Sequence, residues 1–286
     1  MPPWPAEFEP FINALVGDNV VSATPGGMSG ASVSRLSGDA GSVILKQASN
    51  AREWHVYTRL GALLQGVGVR LPELYASHVE DGCFWMLLED IPTPLPEARW
   101  LADPEVLGML ARLHTLPVAD VVLPDDRYQP GWTADLTHQA LELFSPQDAR
   151  ACKPVLEAIR QRAQSLFSPL GVISGDPNPA NWGIRADGTL VLFDWERCTL
   201  AHPAIDLAIT VPGLGDMEAF RLVAGRYPAS GVRPSAEEIA RAKVWAVVEF
   251  LAGMASGEVD PPERVRRMIG QIPGWLTSLE GIESGS

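Results

Sequence analysis

Two short runs decide the fold: Val172-Ile-Ser-Gly-Asp-Pro-Asn-Pro-Ala-Asn-Trp-Gly183 and, a few residues on, Leu190-Val-Leu-Phe-Asp-Trp-Glu196. In the first, an apolar strand end delivers Asp176, and a proline-stiffened loop then delivers Asn181. Trp182–Arg185 and Thr189–Phe193 read as two strands joined through Ala186-Asp187-Gly188, because Asp-Gly between alternating apolar residues is a strong hairpin signal. The hairpin returns the chain so that Phe193 is expected to be buried and Asp194 to emerge at the strand end. Three oxygen-bearing side chains are thereby set on rigid supports.

Such a set suits phosphoryl transfer from a nucleotide. That chemistry asks for a carboxylate to orient and deprotonate the attacking hydroxyl, and for hard oxygen ligands on Mg²⁺. In this assignment Asp176 is the base, and Asn181 and Asp194 are the metal ligands. Each piece alone has a plainer reading: Asp-Pro and Asn-Pro dipeptides form turns, and an Asp after a strand often caps a helix. The following hairpin, ending in an apolar residue and then Asp, tips the balance toward chemistry.

Ser174-Gly-Asp-Pro-Asn-Pro-Ala-Asn181 and Asp194-Trp-Glu196 resemble the catalytic loop and metal loop of the aminoglycoside phosphotransferase / choline kinase family, which has the protein-kinase-like fold. His202-Pro-Ala-Ile-Asp-Leu-Ala208 is similar to the family too, and implies that Asp206 anchors the catalytic loop by hydrogen bonds. One position departs: Ser174 stands where the family has a scaffolding His. The resemblance implies an α+β, bilobal fold, with a small β-rich N-terminal lobe over residues 1–90 and a larger, mainly helical lobe over 91–286. It also implies an ATP- and Mg²⁺-dependent O-phosphotransferase acting on a hydroxyl of an amino-alcohol, aminoglycoside, sugar or similar metabolite. Ser174 keeps a second reading open, a kinase-fold protein that binds nucleotide or a small ligand with weak turnover or none.

The first ninety residues can be held to that resemblance. Strands are expected at Val20–Thr24, Ala31–Leu36, Ser42–Gln47, Leu71–Ser77 and Phe84–Glu89, with a helix from Ala51 to Gln65. A kinase-like fold needs a lysine in the third strand, facing the nucleotide phosphates and a helix glutamate. Lys46 lies there, in Val43-Ile-Leu-Lys-Gln47, and Glu53 is the glutamate candidate. Glu53 shares a helix face with Val56, Tyr57, Leu60 and Leu64, although Asn50 and Glu53 also have the spacing of a capping box. Pro25-Gly-Gly-Met-Ser-Gly-Ala-Ser32 resembles the family's phosphate loop, which puts Gly26, Gly27 and Ser29 over the phosphates. Met86-Leu-Leu-Glu-Asp-Ile91 resembles its hinge, where the backbone of Glu89 and Ile91 would meet adenine.

Composition narrows the rest. The 286 residues carry 22 basic and 35 acidic side chains, a net charge of −13, which argues against nucleic-acid binding and leans mildly toward a cationic acceptor. Only three of the basic residues are lysines, Lys46, Lys153 and Lys243. Val244 to Met254 is too short and too interrupted for a membrane span, three scattered cysteines suggest neither disulfides nor zinc, and Met1-Pro-Pro-Trp-Pro5 is no signal peptide. A cytoplasmic monomer or homodimer is expected, taking a small-molecule acceptor. Helices are expected at Leu107–Leu113, Pro154–Phe167, Asp216–Tyr227, Ala236–Ser256 and Pro262–Leu279. Within the fourth, Trp245 and Glu249 pair at i,i+4, either as a cradle for a cation or, for the Trp, as core. His114 reads as a core or helix-end histidine.

Overall fold

Period-two patterning in the N-terminal third folds as an antiparallel sheet. The computed structural model describes residues 4–24, 32–228, 231–259 and 263–279. Helix α1 (Glu9–Leu15) precedes strands β1 (Val21–Ala23), β2 (Ser32–Ser37) and β3 (Ser42–Ala48). A helix follows in three runs: α2 (Arg52–His55), a π turn at Val56–Leu60 and α3 (Gly61–Gly66). Strands β4 (Leu74–Glu80), β5 (Cys83–Glu89) and β6 (Thr93–Pro94) then lead to α4 (Pro104–His114), α5 (Ala134–Leu141) and α6 (Pro146–Arg162). Four short strands come next, β7 (Gly171–Ile173), β8 (Trp182–Ile184), β9 (Leu190–Leu192) and β10 (Thr199–Ala201). The chain closes with α7 (Ala204–Thr210), α8 (Met217–Arg226), α9 (Ala236–Ser256), α10 (Glu263–Arg266) and α11 (Ile272–Ser278).

The chain forms two compact units, the first made of residues 1–95, 122–128 and 180–198, the second of 96–121, 129–179 and 199–286. In the first unit, five strands run in the order β1-β2-β3-β5-β4, all antiparallel. Phe8, Ile12 and Val16, spaced four apart around α1, pack on Leu36, Val43, Leu45 and Leu87. Because side chains alternate along a strand, a core face at Val43 and Leu45 turns Lys46 to the opposite face. The turn between β4 and β5 has Asp81 and Gly82 both at positive φ, 50° and 76°, the backbone of a two-residue hairpin. The expected hairpin forms as β8 and β9, joined to β6 in a three-stranded sheet. Gly183 is required there: an added Cβ would lie 2.7 Å from Ile91 Cγ2 and 3.2 Å from Phe193 Cε1. Phe193 is only half-buried, which corrects the expectation from the sequence; the ring that disappears is Trp195, two positions on, whose indole N–H donates to Leu192 O at 2.9 Å.

The second unit is helical, with β7 and β10 paired as a two-stranded ladder. Its longest helix, α9, has the expected limits, fixed by a capping box between Ser235 and Glu238 and by Gly257 at φ 79°. The helix expected over Pro262–Leu279 is instead broken into α10, a 3₁₀ turn at Ile269–Gln271 and α11. Among the described residues no helix is long and apolar enough to cross a membrane.

Candidate active site

In the first unit the third strand, the following helix and the end of the β8–β9 hairpin meet at one ion cluster. Lys46 is 6% exposed and Glu53 3%. The Lys46 ammonium pairs with Glu53 Oε2, and its Nζ stands 3.0 Å from Asp194 Oδ1. Burial alone would lower the Lys46 pKa, but the two carboxylates outweigh it and hold the ammonium above its ordinary value. Burial pushes the Glu53 carboxyl up, and the charge of Asp194 adds to that, against the pull of Lys46.

Glu53 does not fold back as a capping residue. Ala51 is the N-cap of α2 with no side-chain cap, and Asn50 instead accepts from the Arg52 N–H at 3.1 Å. The Glu53 carboxylate also accepts the Trp195 N–H at 3.3 Å, which locks the residue after Asp194 to the helix. Asn50 Nδ2 donates to Glu196 Oε1 at 3.2 Å, a second tie between the same two segments.

Asp194 has φ 64°, a left-handed backbone that few non-glycine residues adopt and that persists only where its surroundings enforce it. Here the neighbours on both sides are held: the Phe193 N–H donates to Asn181 O at 3.0 Å, and the Trp195 N–H goes to Glu53. The Phe193 bond also brings Asn181 beside the base of the Asp194 segment. One carboxylate and one carboxamide, beside a lysine that already offers positive charge to Asp194, suit a small hard cation whose other ligands are phosphate oxygens and water. No cluster of three or more His, Cys, Asp or Glu able to cage a metal by itself occurs among the described residues.

Glu89 and Ile91 lie at the end of β5. The Glu89 N–H is used on Glu73 O at 2.9 Å. Its carboxylate is gripped by Arg185 through Nε at 2.7 Å and Nη2 at 2.6 Å, and that pairing, against the opposing effect of burial, holds its pKa below the ordinary value. Gly26, Gly27 and Ser29 lie outside the described residues.

In the second unit, the loop after β7 carries Asp176, half-buried, whose Oδ1 accepts from Asn178 Nδ2 at 2.9 Å. Asp206, on α7 and 0% exposed, accepts the N–H groups of Ser174 and Gly175, each at 2.9 Å. Gly175 needs its residue type, with φ 82°. His114 Nε2 donates to Asp206 Oδ2 at 3.0 Å, and His114 Nδ1 accepts from the Tyr227 hydroxyl at 2.7 Å. The loop is therefore anchored without a histidine at position 174. Trp245 is core: it is 0% exposed, its N–H donates to Gly131 O at 2.9 Å, and its ring meets Phe167 edge-on at 5.4 Å.

Two features left little or no mark in the sequence. The segment 122–128 belongs to the first unit, held by Arg52 Nε on Asp126 O at 2.6 Å, by His55 Nε2 on Val122 O at 2.7 Å and by Arg197 on the Tyr128 hydroxyl at 2.6 Å. Lys243, on α9, is buried. Its only cue in the sequence was the rarity of lysine.

A family model described as the phosphotransferase enzyme family matches residues 20–238. Among solved structures, choline kinase LicA from Streptococcus pneumoniae is 18% identical at a TM-score of 0.62, over 95% of this chain and 98% of its own. Spectinomycin phosphotransferase APH(9)-Ia, in complex with ADP and spectinomycin, is 11% identical at 0.63, over 99% of each chain. A thermostable mutant of aminoglycoside phosphotransferase APH(4)-Ia, in the apo form, is 10% identical at 0.61, over 92% and 96%. At these identities the likeness is one of fold. No curated protein sequence matches.

Proposed function

The chain belongs to the phosphotransferase enzyme family, and on that premise we propose that it moves the γ-phosphoryl group of ATP to a hydroxyl of a small molecule. The observation that carries this reading is the buried Lys46, tied at once to Glu53 and Asp194. A cation so placed can turn to the phosphates when they arrive, while Glu53 keeps it extended and charged. Asp176 accepts the proton of the attacking hydroxyl. Asn181 and Asp194 hold Mg²⁺, which when bound neutralises charge on the phosphate oxygens. Glu89 offers adenine its carbonyl and Ile91 its N–H; Gly26, Gly27 and Ser29 cover the phosphates. Complexes of similar folds with ADP and spectinomycin, or with AMP, support a nucleotide and a small acceptor.

The acceptor is a hydroxylated metabolite of the amino-alcohol, aminoglycoside or sugar class. Trp245, buried in the core, does not support an aromatic cradle for a cation, so the acidic composition remains the only lean toward a charged acceptor. The reading without turnover rests on Ser174. The anchoring of Ser174 and Gly175 by Asp206 weighs against it, because the loop keeps its scaffold.

The test is ATP-dependent phosphate transfer across amino-alcohols, aminoglycosides and sugars, with binding of Mg-ATP measured in parallel. Asp176→Asn should lose about 10²–10⁴-fold in rate and bind nucleotide as the parent does. Full activity in that variant overturns the role of Asp176, and nucleotide binding without transfer across the whole panel favours the non-catalytic reading.

A further inference from the structure

Two consecutive carboxylates stand at the end of β5, and each is met by an arginine. Glu89 lies opposite Val43 in the register of β3 and β5, on the face that packs against α1. Arg185 Nε and Nη2 reach its two oxygens at 2.7 and 2.6 Å, and Nη2 also donates to Leu71 O at 3.0 Å. Glu89 Oε2 accepts the Glu73 N–H at 3.0 Å as well. Asp90 turns the other way. Arg35 Nη2 donates to Asp90 Oδ1 at 3.0 Å, Arg35 Nε stands 2.8 Å from Oδ2, and the Ser42 hydroxyl donates to Oδ2 at 2.6 Å. Ser42, Ile44 and Lys46 alternate along one face of β3, and Arg35, opposite Ile44, shares it. The Asp90 cluster therefore stands on the face of the sheet that carries Lys46.

The Asp90 side chain is only 3% exposed, and an apolar residue would end the strand without taking a charge from water. What an arginine adds on a carboxylate is direction, because its planar fork fixes orientation as well as distance. The peptide between Glu89 and Asp90 carries the Glu89 carbonyl, and the next peptide carries the Ile91 N–H. Both groups swing with the two backbone dihedrals of Asp90, so gripping the Glu89 and Asp90 side chains limits that swing. Ile91 is braced in turn: its Cγ2 would lie 2.7 Å from a Cβ on Gly183, and Thr93–Pro94 pair with the same strand, β8. Arg185 directly follows β8, so one hairpin braces the segment at Glu89, Ile91 and Thr93. All of these residues belong to the first unit.

We propose that Arg35 and Arg185 are positioning residues for the nucleotide base, holding the Glu89–Ile91 backbone from the two faces of the sheet at the angle an adenine edge requires. The proposal rests on the reading of this segment as the adenine contact. Adenine presents a donor at its amino group and an acceptor at the adjacent ring nitrogen. The Glu89 carbonyl and the Ile91 N–H match that pair only when both point to the same edge. A segment fixed before the base arrives loses little freedom on binding, which is how preorganisation adds affinity. The effect falls on the base and not on the phosphates, which Lys46 and the metal meet.

Calorimetric binding in the presence of Mg²⁺ separates the two ends of the nucleotide. The probes are ATP, adenosine, which lacks the phosphates, and tripolyphosphate, which lacks the base. The proteins are the parent, Arg35→Lys, Arg185→Lys and the double variant. Lysine keeps a positive charge opposite each carboxylate and removes the fork, so folding is retained while direction is lost. Each single variant should bind ATP and adenosine about ten-fold more weakly, the worth of one well-aligned hydrogen bond, and bind tripolyphosphate as the parent does. Arg35→Met, which leaves Asp90 without its cation, should show the same split more strongly; if it fails to fold, Arg35→Lys decides.

Equal weakening of tripolyphosphate and ATP would mean a general loosening of the unit and overturns the proposal. Parental affinity for adenosine in the double variant overturns it too. A parent that binds no adenosine removes the positioning role together with the hinge reading. A parent that binds adenosine but transfers phosphate to no acceptor refutes the proposed transfer and leaves the positioning role to be decided by the variants' split between adenosine and tripolyphosphate.

Discussion

Lys46 Nζ and Asp194 Oδ1 stand 3.0 Å apart although 148 positions separate the two residues in the chain. The contact joins the central strand of the five-stranded sheet to the end of the β8–β9 hairpin, and Glu53 completes it from the helix. Removing the lysine leaves two carboxylates, one of them fully enclosed. Lys46→Met should therefore destabilise the protein by about 3–5 kcal/mol in urea unfolding, as expected for breaking a buried ion pair from one side. Adding Glu53→Gln should recover part of that loss. Equal stability of Lys46→Met and the parent would show that the pair is not held as described.

Gly183 is a packing requirement. In Gly183→Ala the new methyl carbon meets Ile91 Cγ2 at 2.7 Å, inside any normal contact distance. A cost of about 1–3 kcal/mol in thermal or urea unfolding is expected. Pairing it with Ile91→Leu, whose unbranched Cβ lacks the obstructing Cγ2 methyl, should restore part of the stability.

Acid should weaken the protein through His202. Its Nδ1 accepts the Ala204 N–H at 3.1 Å at the start of α7, a bond available only to the neutral ring. Burial, partly opposed by Glu238, lowers its pKa below 6.5. Below 6.5 the unfolded chain takes up the proton first, so this contribution is present at neutral pH and is lost as pH falls through the folded value. Unfolding measured from pH 7 down to pH 5 should be less pH-dependent in His202→Asn than in the parent; an identical slope would remove His202 from the account.

The Tyr128 ring carries two contacts with Arg197: the guanidinium lies 4.2 Å from the ring centroid, and Arg197 also donates to the hydroxyl. Tyr128→Phe keeps the first and loses the second, whereas Tyr128→Ala loses both. Protease nicking within residues 122–128 should rise slightly in the first variant and clearly in the second, if these contacts hold the segment to the first unit.

What the sequence revealed follows from how strongly local chemistry dictates geometry. The β8–β9 hairpin was legible because Asp187-Gly188 has few alternatives, and α9 because a long apolar stripe is closed by Ser235 and Gly257. Helix α7 was not legible, because six of its seven residues are buried and a helix covered on nearly all sides has no polar face to mark its period. Strand β10 is three residues long, too short for alternation to register, and β7, equally short, was legible only as the apolar end that precedes Asp176. Asp176, Asn181 and Asp194 stood out because Pro, Asn and a strand end crowd around them. Lys243 did not, because the two backbone carbonyls that hold it are remote along the chain.

The makeup of the first unit bears on how the protein is synthesised. Its five-stranded sheet is encoded entirely within the first 95 residues, but the unit also takes in 122–128 and 180–198. On the ribosome the sheet can assemble early, with Lys46 and Glu53 already translated and Asp194 still to come. At roughly 5–20 residues per second, many seconds pass before the hairpin arrives. During that interval the nascent sheet carries an unfinished ion cluster, and a truncation at residue 95 would preserve that state permanently. Completion of the first unit is thus tied to translation of residue 198, about two-thirds of the way through the 286-residue chain.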